Sequence, residues 1–249
     1  MMVASTPHTI SVLVCALGGE GGGVLARWLV DTAVAAGHAV QSTSIPGVAQ
    51  RTGATTYYIE IASSTSTPGG RDPVFSLYPV PGSLDLLVSS ELLETVRQIG
   101  EGHTTRERTQ VLSSAHRTLT TAEKMQLADG RAQEARLLEV IQAHSREAVV
   151  LDMAALASDA GTVISAVMLG AIAGGGALPF AREQYEATVR HSGRGVEASV
   201  RGFSLAYERV RLLRMQPSEQ APTPTPALPP VAEQELGALV HRIVDALFE

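Results

Sequence analysis

Residues 9–37 read TISVLVCALGGEGGGVLARWLVDTAVAAG, and this stretch decides the fold. Thr9–Leu17 is apolar and rich in β-branched residues, the composition of a buried strand. It runs into Gly18-Gly19-Glu20-Gly21-Gly22-Gly23, and the amphipathic run Val24–Ala36 follows, closed by Gly37. This is a β–loop–α unit. A glycine-rich turn between strand and helix places backbone N–H groups and a helix N-terminus at the carboxyl edge of a sheet, where anions bind.

Outward from this unit, strand-like and helical patterns alternate. His38–Thr43 and Thr55–Ala62 read as strands, and Ser63–Gly70 as a loop. A short strand is predicted near Pro73–Tyr78, a buried one at Leu84–Ser89 and a helix at Glu91–Gly100. Thr109–Ser114 and Ala148–Asp152 read as two further strands, separated by a helix of about Arg131–Ala143. The last third is helical, over Thr162–Ala173, Phe180–Arg190 and Gly195–Met215. The rhythm predicts an α/β fold with a doubly wound, mostly parallel sheet and a helical C-terminal third, one domain over residues 1–215. Six of the 13 prolines fall within Gln216–Pro230, which reads as a semi-extended linker. Residues 231–249 read as an amphipathic helix, with Leu236, Leu239, Val240, Ile243, Val244 and Leu247 on one apolar face.

Composition narrows the chemistry. The 249 residues carry a net charge of −6 with no basic stripe, which argues against a nucleic-acid groove. Cys15 and Lys124 are each the sole residue of their type, and there is no Asn. One cysteine cannot ligate an iron–sulfur cluster or a cysteine-rich zinc site, and no Gly-Lys pair exists for a Walker A loop. The run Ile10–Leu17 lacks the basic flank and cleavage site of a signal peptide. The 22 uncharged residues between Asp159 and Arg182 are broken by Gly174-Gly175-Gly176 and Pro179, leaving too short a run to span a bilayer. A cytoplasmic protein with no membrane contact is the expectation.

Two loops hold the candidate site residues. Gly21-x-Gly23-x-x-Ala26 fits the dinucleotide fingerprint in form. The acidic residue expected about 20 positions on is missing between Thr32 and Ile59, and Glu20 in the turn would repel a phosphate. The other reading is that these glycines let the helix pack closely on the sheet. In the second loop, Pro46-Gly47 forces a turn and Gly53 permits another. Gln50 and Arg51 between them project toward the same sheet edge, with Arg51 able to fork onto a carboxylate or phosphate. The plain alternative is an exposed loop with an ordinary surface arginine. Of the seven histidines, none forms an HExxH pair, and only His116, after a strand, stands out as a possible site residue. Cys15 lies mid-strand as a small hydrophobe. No Gly-x-Ser-x-Gly elbow is present.

Taken together, Gly-Gly-x-Gly after the first strand and Gly47-x-Ala49-Gln50-Arg51-x-Gly53-Ala54 after the second resemble the gamma-type domain of the 2-oxoacid:ferredoxin oxidoreductases. The similarity is greatest to the small (beta) subunit of indolepyruvate:ferredoxin oxidoreductase. It extends to about Phe203 through Pro73-Val74-Phe75, Pro79-Val80-Pro81-Gly82, Ser89-Ser90-Glu91-Leu92-Leu93-Glu94, Ser114-Ala115-His116-Arg117, Ala122-Glu123-Lys124 and Asp129-Gly130-Arg131. Glu20 stands where the family loop carries Gln, and Thr52 where it carries Gly.

The resemblance implies an enzyme that decarboxylates a 2-oxoacid on thiamine diphosphate. Electrons pass through [4Fe–4S] clusters to ferredoxin, and an acyl-CoA is released with CoA as co-substrate. Family thiamine sites use Gly-Asp-Gly with a downstream Asn at the magnesium diphosphate, and this chain has no Asn. Thiamine diphosphate, Mg and clusters are therefore expected on a large (alpha) subunit, and this chain is expected to hold no catalytic residue and no metal. Gly18, Gly19, Glu20, Gly21, Gly22, Gly47, Gln50, Arg51 and Gly53 are expected to form a face toward that subunit or its substrates. A stand-alone nucleotide-binding Rossmann-like protein is the competing expectation.

Overall fold

A computed structural model describes residues 9–45, 54–62, 73–118, 133–193 and 195–215. Its centre is a six-stranded sheet in the order β2-β3-β1-β4-β5-β6. The strands are β1 (Thr9–Leu17), β2 (Val40–Ile45), β3 (Ala54–Ala62), β4 (Leu86–Ser89), β5 (Gln110–Ser114) and β6 (Glu147–Leu151). β1, β4, β5 and β6 run parallel in register. β3 lies antiparallel between β1 and β2, so the second and third strands pair with each other and β2 sits at the edge.

The helices are α1 (Gly22–Ala35), α2 (Leu92–Gly100), α3 (Glu134–Ala143), α4 (Met153–Ala160), α5 (Ile164–Gly175), α6 (Arg182–Arg190) and α7 (Val196–Met215). On one face of the sheet, Leu25, Trp28 and Leu29 of α1 and Val167 and Leu169 of α5 join Val12, Val14 and Ile59 in a single core. On the other, Leu92 and Val96 of α2 and Leu137 and Ile141 of α3 cover Leu13, Cys15, Tyr58 and Val111. α1 and α2 thus leave neighbouring strands toward opposite faces. The crevice between the carboxyl ends of β1 and β4 is the topological switch point, where open α/β sheets bind ligands.

Two expectations need correction. Pro73–Tyr78 forms no strand: Pro73 removes a ladder donor at its start, and side chains of β2 and β3 hold it across the sheet. Gln41 Nε2 donates to Ser76 O (3.1 Å), Thr43 Oγ1 to Leu77 O (2.7 Å), and Ser76 N to Glu60 Oε2 (2.6 Å). A helix not predicted, α4, follows β6 directly. The Asp152 carboxylate accepts from Ala155 N (2.9 Å) as its N-cap, and Gly161 closes it in the left-handed conformation (φ 64°).

The uncharged run 160–181 forms the core helix α5, on which α7 packs as an outer layer. Gly170 and Gly174 allow that approach, since a Cβ on Gly170 would lie 2.1 Å from Phe203 O. No single described helix is long and apolar enough to cross a membrane; α4 and α5 together have that length but meet at 116°. The linker 216–230 and the amphipathic segment 231–249 lie outside the described residues.

Candidate functional site at the carboxyl edge

β1 ends at Leu17, and the glycine turn begins in the open. Gly18 and Gly19 are exposed, and Gly19 (φ 88°) and Gly21 (φ 79°) take the left-handed conformation that favours glycine. Gly21 caps α1, and no side chain among the described residues caps the helix's first N–H groups. Gly22 is buried for packing: a Cβ there would lie 2.7 Å from both Ala16 Cβ and the Tyr57 ring. The close-packing reading of this glycine therefore holds in space, beside whatever the neighbouring turn binds.

Glu20 does not project outward. Its Oε2 accepts from Leu17 N (3.0 Å) and, in a short bond, from the Ser90 hydroxyl at the end of β4. A carboxylate of the chain itself therefore fills the switch-point crevice, where a dinucleotide's phosphate would need the same donors.

Beside it, Glu91 caps α2. One oxygen accepts from Glu94 N (2.7 Å), the other from Thr118 N (3.1 Å), with Arg117 Nε 3.5 Å away. Burial pushes its carboxyl up to about 7, and those two N–H groups and Arg117 only partly offset this. Farther into α2, the buried Glu94 pairs in a fork with Arg97 (2.5 and 2.8 Å) and accepts from Gln98 (2.9 Å). His116 is exposed at the same edge; its backbone O accepts from Leu92 N (3.1 Å), and its N donates to Ser114 Oγ (3.2 Å).

On the other side of the turn opens a cleft of about 1170 Å3. The glycine turn forms its floor with Thr55 and Tyr57 of β3, and its walls are α1 (Val24, Arg27, Asp31), α6 (Gln184, Thr188) and His191 just after it. Tyr57 was not singled out in the sequence. Its signal lies in the alternation of TTYYIEIA, which turns Tyr57 and Tyr58 to opposite faces of the sheet.

Gly47, Gln50, Arg51 and Gly53 lie outside the described residues. Their flanks are placed: Ala54 pairs with Leu17, and Ile45 with Thr56. The second loop thus leaves and rejoins the sheet at the edge that carries the glycine turn.

The donor set does not fit the family's cofactors. Cys15 is fully buried, burial pushes its thiol up, and a cluster needs four thiolates. Among the described residues, no three His, Cys, Asp or Glu are grouped to hold a metal ion.

A model of the family described as pyruvate ferredoxin/flavodoxin oxidoreductase matches residues 11–209, most of the chain. The chain belongs to this family. No curated protein sequence matches it. Three solved structures share its fold. The pyruvate oxidoreductase subunit PORC of Thermotoga maritima aligns at TM-score 0.55 and 16% identity, covering 80% of this chain and 96% of that one. The gamma subunit of a keto/oxoacid ferredoxin oxidoreductase from Geobacter sulfurreducens aligns at 0.54 and 16%, covering 82% and 97%. The 2-oxoglutarate:ferredoxin oxidoreductase of Magnetococcus marinus, solved with 2-oxoglutarate, coenzyme A and succinyl-CoA, aligns at 0.56 and 13%. There the match covers 82% of this chain but 31% of the longer one.

Proposed function

We propose that this chain is the small accessory subunit of a thiamine-diphosphate-dependent 2-oxoacid:ferredoxin oxidoreductase, of the type that acts on indolepyruvate and related arylpyruvates. The complex oxidatively decarboxylates the 2-oxoacid to an acyl-CoA and reduces ferredoxin. Thiamine diphosphate, Mg and the [4Fe–4S] clusters sit on the large subunit, and this chain is required for turnover without holding the reacting atoms. The observation that carries this reading is the family match over residues 11–209, joined to a sequence with one cysteine, itself buried, and no Asn.

The local role belongs to the carboxyl edge. The glycine turn and the loop 46–53 meet the large subunit near its active-site mouth, with Arg51 contacting an anionic group and Gln50 hydrogen bonding. The stand-alone nucleotide reading is the weaker one, because Glu20 already takes the Leu17 N–H and the Ser90 hydroxyl in the crevice a dinucleotide would use.

Co-expression with a large subunit of the same enzyme family tests the reading. The expected product is a brown complex that contains thiamine diphosphate and reduces ferredoxin only when a 2-oxoacid and CoA are present, with indolepyruvate turned over faster than pyruvate or 2-oxoglutarate. A chain that purifies alone and binds NAD(P) or FAD tightly by calorimetry would overturn it. A complex that prefers pyruvate would keep the subunit assignment and overturn the arylpyruvate one.

A further inference from the structure

α7 is the outermost element on its side of the sheet. Gly202, Phe203, Ala206 and Val210 turn inward and are buried, whereas Leu205, Leu212 and Met215 are 44%, 54% and 67% exposed. These three fall at i, i+7 and i+10, which places them along one side of the helix. Arg201, Arg209 and Arg211 are exposed on the same half of the helix, and Glu208 there is drawn to Arg182 (2.6 Å). The outer face of α7 is thus an apolar stripe bordered by three arginines, with the exposed Glu197 at its N-terminal end.

The sequence beyond Met215 has the matching pattern. In residues 231–249, Leu236, Val240, Ile243 and Leu247 recur at spacings of four, three and four. Glu233, Glu235, Asp245 and Glu249 outnumber the single Arg242, so this segment is acidic where α7 is basic. The proline-rich stretch 216–230 supplies about 45 Å of reach at ~3.1 Å per residue. That spans the ~30 Å of a 20-residue helix such as α7.

We infer that residues 231–249 pack in cis on the outer face of α7, with the two apolar stripes in contact and the acidic residues toward Arg201, Arg209 and Arg211. The tether favours this occupant, since a short linker presents its segment at millimolar effective concentration. A second copy of the chain, at micromolar concentration, competes poorly for the same face. Arg211, Leu212, Met215 and the whole of 231–249 lie beyond the residues that the family match covers, whereas Arg201, Leu205 and Arg209 lie within them.

The test places a photoreactive benzophenone amino acid at Leu212 of the full chain, in an equimolar mixture of isotope-labelled and unlabelled protein. The expected adduct joins residue 212 to 231–249 of the same chain. An adduct joining labelled to unlabelled chains makes the occupant a second copy, and the absence of any adduct within 231–249 leaves the face to another partner; either overturns the inference. Deleting 231–249 is further expected to raise the fluorescence of an apolar-surface dye at least twofold. L205E/L212E in the shortened chain is expected to reverse the rise. Unchanged dye fluorescence on deletion would also contradict the contact. All the substituted side chains are exposed, so the domain's folding is not at stake.

Discussion

The two edges of the sheet are built to opposite ends. At the amino edge, charge is closed within the chain. Asp85 accepts from Arg108 in a fork (2.7 and 2.9 Å) and from Ser11 N (2.9 Å) and Oγ (3.0 Å). Glu147 pairs with Arg214 and with Gln110 Nε2 (3.0 Å). At the carboxyl edge Glu20 secures the end of β1 and Glu91 caps α2, while the turn beside Glu20 stays exposed and α1 begins with no side-chain cap among the described residues. A saturated edge stabilises; an edge with unclaimed donors and a cleft is free to meet something else. That difference is why function is assigned to the loops and not to the more numerous ion pairs.

The comparison can be broken from either end. The largest effect expected is that of Gly22→Val, because even a Cβ there meets Ala16 and Tyr57 at 2.7 Å. It should cost about 3 kcal/mol in denaturant unfolding and also disturb the turn. Asp85→Ala comes next: removing the shared acceptor leaves the Arg108 guanidinium and the Ser11 backbone N–H without it, at about 2 kcal/mol. Turnover of the assembled enzyme below the melting range should remain unchanged. A large fall in kcat for Asp85→Ala would erase the distinction between the edges.

Glu91 sharpens the contrast through pH. Its carboxyl is raised from 4.5 to about 7 in the folded chain, so the folded state binds the proton more tightly than the unfolded one. Its contribution is complete below about 4.5 and is lost as pH rises through about 7. Wild-type stability should therefore fall by on the order of 2 kcal/mol between pH 5 and 8 relative to E91Q, read from urea midpoints at each pH. Parallel profiles for the two proteins would show that Glu91 is not held this way. The smallest effect belongs to Glu20. Glu20→Ala should cost about 1 kcal/mol, while Glu20→Gln, which keeps an acceptor for Leu17 N and Ser90, should cost less than half of that.

Much of this architecture was legible in the sequence where local and tertiary demands agreed. Thr9–Leu17 is apolar or β-branched at every position but Ser11 because it lies between two helix layers, and the observed β1 has those bounds. Pro73–Tyr78 misled because its β-like residues are held by side chains of β2 and β3 rather than by a ladder. Met153–Ala160 was missed because Asp152, read as the end of a strand, is the cap of a helix. At the site, glycines and their turn were readable from spacing, but the inward fold of Glu20 depends on Ser90, 70 residues away. Tyr57 joins the cleft only because β3 pairs antiparallel with β1, and strand order is not written in local pattern.

The proposed role of the carboxyl-edge loops is to act on a large subunit. The most direct measurement is kcat for ferredoxin reduction by the reconstituted complex carrying Arg51→Ala, with assembly followed by gel filtration. A fall of tenfold or more with assembly intact is the predicted result. Unchanged kinetics in a fully assembled complex would contradict it.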